Sequence, residues 1–311
     1  MRCIDVHTHL GDVCSPYTAS SPKGPSGPPS NLLENLGYPS ILMKAVASRW
    51  FPKGSLLKYC RQAAAHATPE NLLKSMAKAD IATSFVLPIA PAVSAEQVLA
   101  QCARNPNLVP LLSIDFTKVK SSGIEGNIRE LLTGYPYKGI KFHPNIQRID
   151  PQSDEALALY EAAAKLNLFV MMHVGRTPFL PCPQQELALL ENVLDIPRRF
   201  AQTRFVFCHM AKYFESTTAG YEQLGQYANV WFDTSGVAKW LIVEGLRRLG
   251  PNRILFGSDW PYGDSGKALA TLRQAIRVYA DSAKKNFDEV LKQVMYENAQ
   301  ELLKIPALVS P

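Results

Sequence analysis

The sequence predicts a closed (β/α)₈ TIM barrel, read as one domain over residues 1–311 with a long insertion after the first strand. Three observations carry that prediction. Eight short apolar runs lack the alternation of a half-exposed sheet and look like parallel strands buried on both faces. Helix-patterned segments separate most of them. Five of the six histidines stand at or just past the C-terminal end of a run, the face on which barrel strands converge.

The strands are expected at Cys3–Val6, Ser84–Pro88, Leu108–Ile114, Gly139–Phe142, Leu168–Met172, Arg204–Cys208, Val230–Asp233 and Arg253–Gly257. The helices are expected at Pro69–Lys78, around Val98–Cys102 with Ser94 as cap, and at Ala156–Leu166 with Ser153 as cap. They continue at Gln185–Phe200, Tyr221–Tyr227, Trp240–Leu249, Lys267–Ala280 and Asp288–Leu303. A doubly wound open sheet competes, but no Gly-x-Gly-x-x-Gly follows the first strand. Residues 11–68 break the rhythm. Cys14–Ser30 is rich in Pro, Ser and Gly, and Ile41–Ala65 can hold helices. A connection this long on the active face reads as a lid or substrate-binding insertion, with an irregular surface excursion as the alternative.

Composition sets the frame. In 311 residues, 47% hydrophobic and 19% charged side chains suit a globular core. The net charge of +6 is scattered, which argues against a nucleic-acid arm and leaves room for attraction of an anionic substrate. Six cysteines include no C-x-x-C pair, so reduced thiols in the cytoplasm are expected. No secretory h-region and no membrane span are read from the chain, and a small-molecule substrate is the expected partner.

The chemistry concentrates at strand ends. His7 and His9, two apart, are expected to point the same way and chelate one ion. His173 and His209 each follow an apolar strand and emerge at the same rim. Asp259, in Gly257-Ser258-Asp259-Trp260-Pro261, offers a hard oxygen donor and a proton acceptor; a helix N-cap is its alternative role. Three nitrogens and one oxygen with an open position match a catalytic metal site. Zn²⁺ is the first expectation, with Mn²⁺, Fe²⁺ or Co²⁺ open. Lys141 and His143 share a face at the end of the fourth strand. Lys141 is expected to grip a substrate carboxylate or, carboxylated, to bridge a second metal; His143 is a further ligand or a substrate contact. Arg176 is an anion contact or a plain surface arginine, and Trp260 a stacking or a packing residue.

These motifs, with Glu297-Asn298-Ala299-x-x-Leu302-Leu303 near the end, resemble the amidohydrolase superfamily and its amidohydrolase-2 branch over nearly the whole chain. That branch includes aminocarboxymuconate-semialdehyde decarboxylase, resorcylate-type decarboxylases and pyrone-dicarboxylate lactonase. The resemblance implies that His7, His9, His173 and Asp259 ligate one metal, and that His209 is the acid/base or water-orienting residue. It also suggests a homodimer. Hydrolysis of an ester, lactone or amide by a metal-activated water is the leading expectation. Non-oxidative decarboxylation of an unsaturated or aromatic acid is the runner-up. A non-catalytic metal-binding barrel comes last, since no ligand of the set is missing.

Overall fold

The computed structural model describes residues 2–15, 53–177, 180, 182–211 and 223–304. Residues 16–52, the middle of the expected insertion, lie outside the described residues. Eight parallel strands follow one another: β1 (Ile4–Thr8), β2 (Thr83–Val86), β3 (Leu108–Pro110), β4 (Gly139–Phe142), β5 (Phe169–Met172), β6 (Arg204–Phe207), β7 (Val230–Asp233) and β8 (Ile254–Leu255). They pair in chain order as β1-β2-β3 and β4-β5-β6-β7-β8. Two seams join these sheets into a ring. Leu112 bridges Ile140 between β3 and β4, with Leu112 N–H on the Gly139 carbonyl at 2.9 Å. Between β8 and β1, Val6 N–H reaches the Phe256 carbonyl at 2.9 Å, Asp259 N–H the His7 carbonyl at 2.8 Å, and Thr8 bridges Trp260.

The strands are buried on both faces because each face meets a different apolar layer. Ile4, Val6, Phe85, Leu111, Phe169, Met171, Val206, Trp231 and Leu255 fill the inside of the ring. Each such side chain contributes about 1.5–3 kcal/mol on burial. Gly139 makes room here, for a Cβ on it would lie 2.4 Å from the Phe169 ring. Ala299 and Leu302 of the last helix join the same cluster. Arg204, the first residue of β6, donates to the Leu302 carbonyl at 2.8 Å, so this helix closes the N-terminal end of the barrel. The opposite strand faces, among them Val86, Leu112, Phe142, Val170, Phe205 and Phe232, pack with the helices in the main core.

Most expected helices form, each with a local reason. Ser94 and Gln97 make a reciprocal capping box on Ala95–Cys102, and the Ser153 hydroxyl accepts from Ala156 N–H at the head of Asp154–Lys165. Lys53–Ala65 and Pro69–Ala79 lie between β1 and β2. Two expectations need correction. Gln185–Phe200 is not one helix but short turns at Cys182–Gln185, Leu190–Asn192 and Ile196–Arg199. Pro197 lacks the N–H an interior turn needs, and the Asn192 amide binds the Glu186 and Leu187 carbonyls that a helix would use. The helix Gly123–Gly134 fills the β3–β4 interval, where the sequence reading has none; it starts without a side-chain cap and carries three glycines. No helix among the described residues is long and apolar enough to cross a membrane.

Candidate metal centre

The site grows from a defect in β1. Ile4 pairs with Thr83, Asp5 with Ser84 and Thr8 with Val86, so β1 spends one residue more than β2 between the last two pairs. Ile4 and Val6 already face the barrel interior. Strict alternation would turn His7 outward with Asp5. The bulge adds the residue that turns His7 inward, correcting the simple period-two reading while leaving its outcome intact. Gly257, two residues past β8, accommodates the turn, since a Cβ there would meet the His7 Cβ at 2.9 Å and Asp233 Oδ1 at 3.3 Å.

Fixed acceptors set the imidazole tautomers. His7 Nδ1 donates to Asp233 Oδ2 at 2.9 Å, and His9 Nδ1 donates to the Leu87 carbonyl at 2.8 Å. A carbonyl or carboxylate only accepts, so each neutral ring keeps its lone pair on Nε2. Those two Nε2 atoms lie 3.4 Å and 3.5 Å from Asp259 Oδ1. One donor atom from each of His7, His9 and Asp259 falls within 4.8 Å of the others. Asp259 sits in the left-handed region at φ 62°. Its N–H is tied to the His7 carbonyl and its own carbonyl accepts from Gly263 N–H at 2.9 Å. It is not the cap of a following helix; Asp264 caps Ser265–Ala283.

Two further histidines border this group. His209 is also left-handed, at φ 56°, followed by Met210 and Ala211 in the same region. Its N–H donates to Asp233 Oδ1 at 3.2 Å, and its Nδ1 donates to the Ser235 carbonyl at 2.9 Å. Its Nε2 lies 3.2 Å from His173 Nδ1. His173 thus adjoins the group through His209 but stands outside the three-residue cluster. Its ring stacks on His143 with centroids 3.9 Å apart. His143 caps the turn Pro144–Gln147: its Nδ1 accepts from Ile146 N–H at 3.3 Å, which leaves the proton of the neutral ring on Nε2.

Electrostatics favour neutral imidazoles beside ionised carboxylates. Burial, then the charge of Lys141, lowers His7 to about 3. Burial also lowers His143, His173 and His209. For Asp259 burial acts upward, yet the surrounding His9, His7 and His209 rings outweigh it and hold the carboxyl at about 2. Asp233 is lowered in the same way by His7 and His209 against burial. Asp5 behaves oppositely, with burial pushing it up to about 7.

Lys141 is wholly buried, with Nζ 3.1 Å from Cys208 Sγ. In register it pairs with Met171, two residues before His173, and its charge acts on His7, His143, His173 and His209. Arg176 is part-exposed and faces Glu186 at 3.5 Å. Trp260 is buried in the main core.

Asp233 escaped the sequence reading. It ends β7 in Val-Trp-Phe-Asp, an acidic residue closing an apolar strand on the active face, which is the signal that singles out Asp259. It orients His7 as the carboxylate of a carboxylate–histidine pair. Ser235 joins it, its Oγ 3.0 Å from both His7 Nδ1 and His209 Nδ1.

The residues fit a divalent ion. Two inward imidazole lone pairs and an ionised carboxylate form a borderline-soft donor set, and their outer nitrogens are held by fixed acceptors. A second group, His7, Cys208 and Asp233, also has donor atoms within 4.8 Å. It does not fit. His7 Nδ1 is committed to Asp233, and the Lys141 ammonium faces the sulfur.

Among solved structures the chain is similar to 5-carboxyvanillate decarboxylase from Sphingomonas paucimobilis, at 14% identity over 98% of this chain and 99% of that one, with a TM-score of 0.63. It is similar to the 5-carboxyvanillate decarboxylase of Novosphingobium aromaticivorans complexed with manganese and a nitrobenzoic acid, at 13% identity, 98% and 96% coverage and a TM-score of 0.60. It is also similar to a probable 2-pyrone-4,6-dicarboxylic acid hydrolase from Acinetobacter baumannii, at 12% identity, 98% and 100% coverage and a TM-score of 0.56. At such identities the likeness is one of fold. No curated protein matches the sequence. The family model described as amidohydrolase matches residues 4–305, from the first strand to the last helix, and the chain belongs to that family.

Proposed function

We propose that the protein hydrolyses an ester, lactone or amide bond in a small carboxylate-bearing molecule, using one divalent ion held by His7, His9, His173 and Asp259. The observation that carries this is the convergence of the His7 and His9 Nε2 lone pairs on Asp259 Oδ1. The ion supplies Lewis acidity toward an oxygen of water or substrate. Zn²⁺ is the ion proposed, on the imidazole-rich donor set; Mn²⁺ is the alternative, being the metal in the Novosphingobium relative's complex.

The chain's own groups do the rest. Asp259, ionised and with its side chain 13% exposed, takes the proton of the attacking water. His209, its Nδ1 proton fixed on Ser235, presents an unprotonated Nε2 that shares this proton and returns it to the leaving group. His143 donates its Nε2–H to a substrate oxygen. Lys141, buried beside Cys208, adds a positive charge that favours an anionic substrate.

Non-oxidative decarboxylation of an unsaturated or aromatic acid is the second reading. The Nε2–H of His143 favours it, because that chemistry needs a proton delivered to carbon as carbon dioxide leaves. The test is a panel of lactones, amides and aromatic acids turned over by metal-loaded protein in ¹⁸O-water. Label in the product supports hydrolysis; carbon dioxide release with no label supports the lyase. On the substrate found, Asp259→Asn is expected to lower kcat by at least about 100-fold, within the usual range for acid–base groups. Full turnover by that variant would refute the assignment of Asp259.

A further inference from the structure

We propose that Asp5 is a positioning residue that sets the separation of the metal-binding groups by clamping the two strand ends that carry them. The inference rests on the metal reading above and adds a residue to it.

Asp5 is fully buried, and its Oδ1 accepts two backbone N–H groups, from His7 at 3.1 Å and from Ser258 at 3.0 Å. One belongs to a member of the metal group; the other belongs to the neighbour of Asp259. The β8–β1 seam explains why the carboxylate is needed. Val6 N–H binds the Phe256 carbonyl, and a regular parallel ladder would next send Ser258 N–H to the Val6 carbonyl. The bulge in β1 breaks that step, and Ser258 N–H goes to Asp5 instead. Beyond the break the seam resumes with Asp259 N–H on the His7 carbonyl and His9 N–H on the Trp260 carbonyl. One carboxylate oxygen thus replaces the lost ladder contact at the point where His7 and Asp259 face each other. Ser258 extends the clamp, its hydroxyl accepting from Trp260 N–H at 3.1 Å and meeting the Ser265 hydroxyl at 3.4 Å.

The role needs an acceptor at Oδ1, so asparagine preserves it, and leucine, of the same branching but larger, removes it. The full-length protein, stripped of metal, is titrated with Zn²⁺ by calorimetry as wild type, Asp5→Asn and Asp5→Leu, with thermal melts of each metal-free form. Asp5→Asn is expected to bind within about threefold of wild type. Asp5→Leu is expected to lose about 10- to 100-fold, the range for outer-shell partners. A lower Tm for Asp5→Leu with unchanged affinity would mean a merely structural residue and overturn the proposal, as would an Asp5→Asn protein that binds as weakly as Asp5→Leu. Should Asp5→Leu not fold, Asp5→Ser, too short to reach both N–H groups, takes its place with the same two outcomes. A wild type that binds no ion would overturn the metal reading and this one together, whereas equal binding by wild type and the leucine variant overturns this one alone.

Discussion

His143 divides its two nitrogens between two tasks, and they can be tested apart. Nδ1 holds the turn Pro144–Gln147 by accepting from Ile146 N–H, which leaves Nε2 as a donor. Asparagine mimics the first nitrogen and glutamine the second. His143→Asn is expected to keep the melting temperature and metal content of wild type and to lose about tenfold or more in kcat/KM. His143→Gln is expected to lose stability by about 1 kcal/mol, as for a lost cap, and to retain more of the activity. Metal analysis, melts and steady-state kinetics separate these outcomes; a metal content that falls in the asparagine variant would make His143 a ligand instead. Gly257→Ala tests the space that His7 occupies. A Cβ there lies 2.9 Å from the His7 Cβ, so the imidazole must move, and sites of this kind tolerate only about 0.5 Å. Zn²⁺ affinity by calorimetry is expected to fall at least about tenfold. At this scale His7, His9 and Asp259 were legible because each ends an apolar strand. Asp233 carries the same mark, closing Val-Trp-Phe, but its role was not legible, since that role is its contact with His7, 226 positions away in the chain.

Elements were legible where their signals are local. The Ser94–Gln97 capping box and the Ser153 cap depend on residues three apart, and both form as read. Ser94→Ala removes one half of that box and is expected to lower stability by about 1 kcal/mol, checked by urea unfolding at unchanged m-value. Elements failed where the deciding contact is distant or the signal weak. Gln185–Phe200 has the apolar content of a helix, but Asn145 reaches across to bind Ala188 N–H at 2.9 Å and holds that segment open. The bulge in β1 is invisible in its own five residues, because it exists only against β2.

For the whole molecule, the ring of strands is what makes one site out of separate strand ends, so ion binding and barrel stability are linked. An ion that binds the folded state alone, supplied at 100 times its Kd, adds about 2.7 kcal/mol. For a protein of this size that corresponds to a rise in Tm of several degrees. Chelator followed by Zn²⁺ in a differential scanning experiment is expected to lower and then restore Tm, and an unchanged melt would place the ion outside the folded barrel. The amino-acid sequence by itself determined the number and order of the strands, the face on which the histidines emerge and the chemical type of the donors, because those follow from short-range periodicity and side-chain identity. Only the tertiary structure decided which donors meet, which imidazole nitrogen faces inward, and that the Lys141 ammonium lies beside Cys208. Those depend on register and on contacts between residues far apart in sequence, and a chain fixes them only when the ring closes.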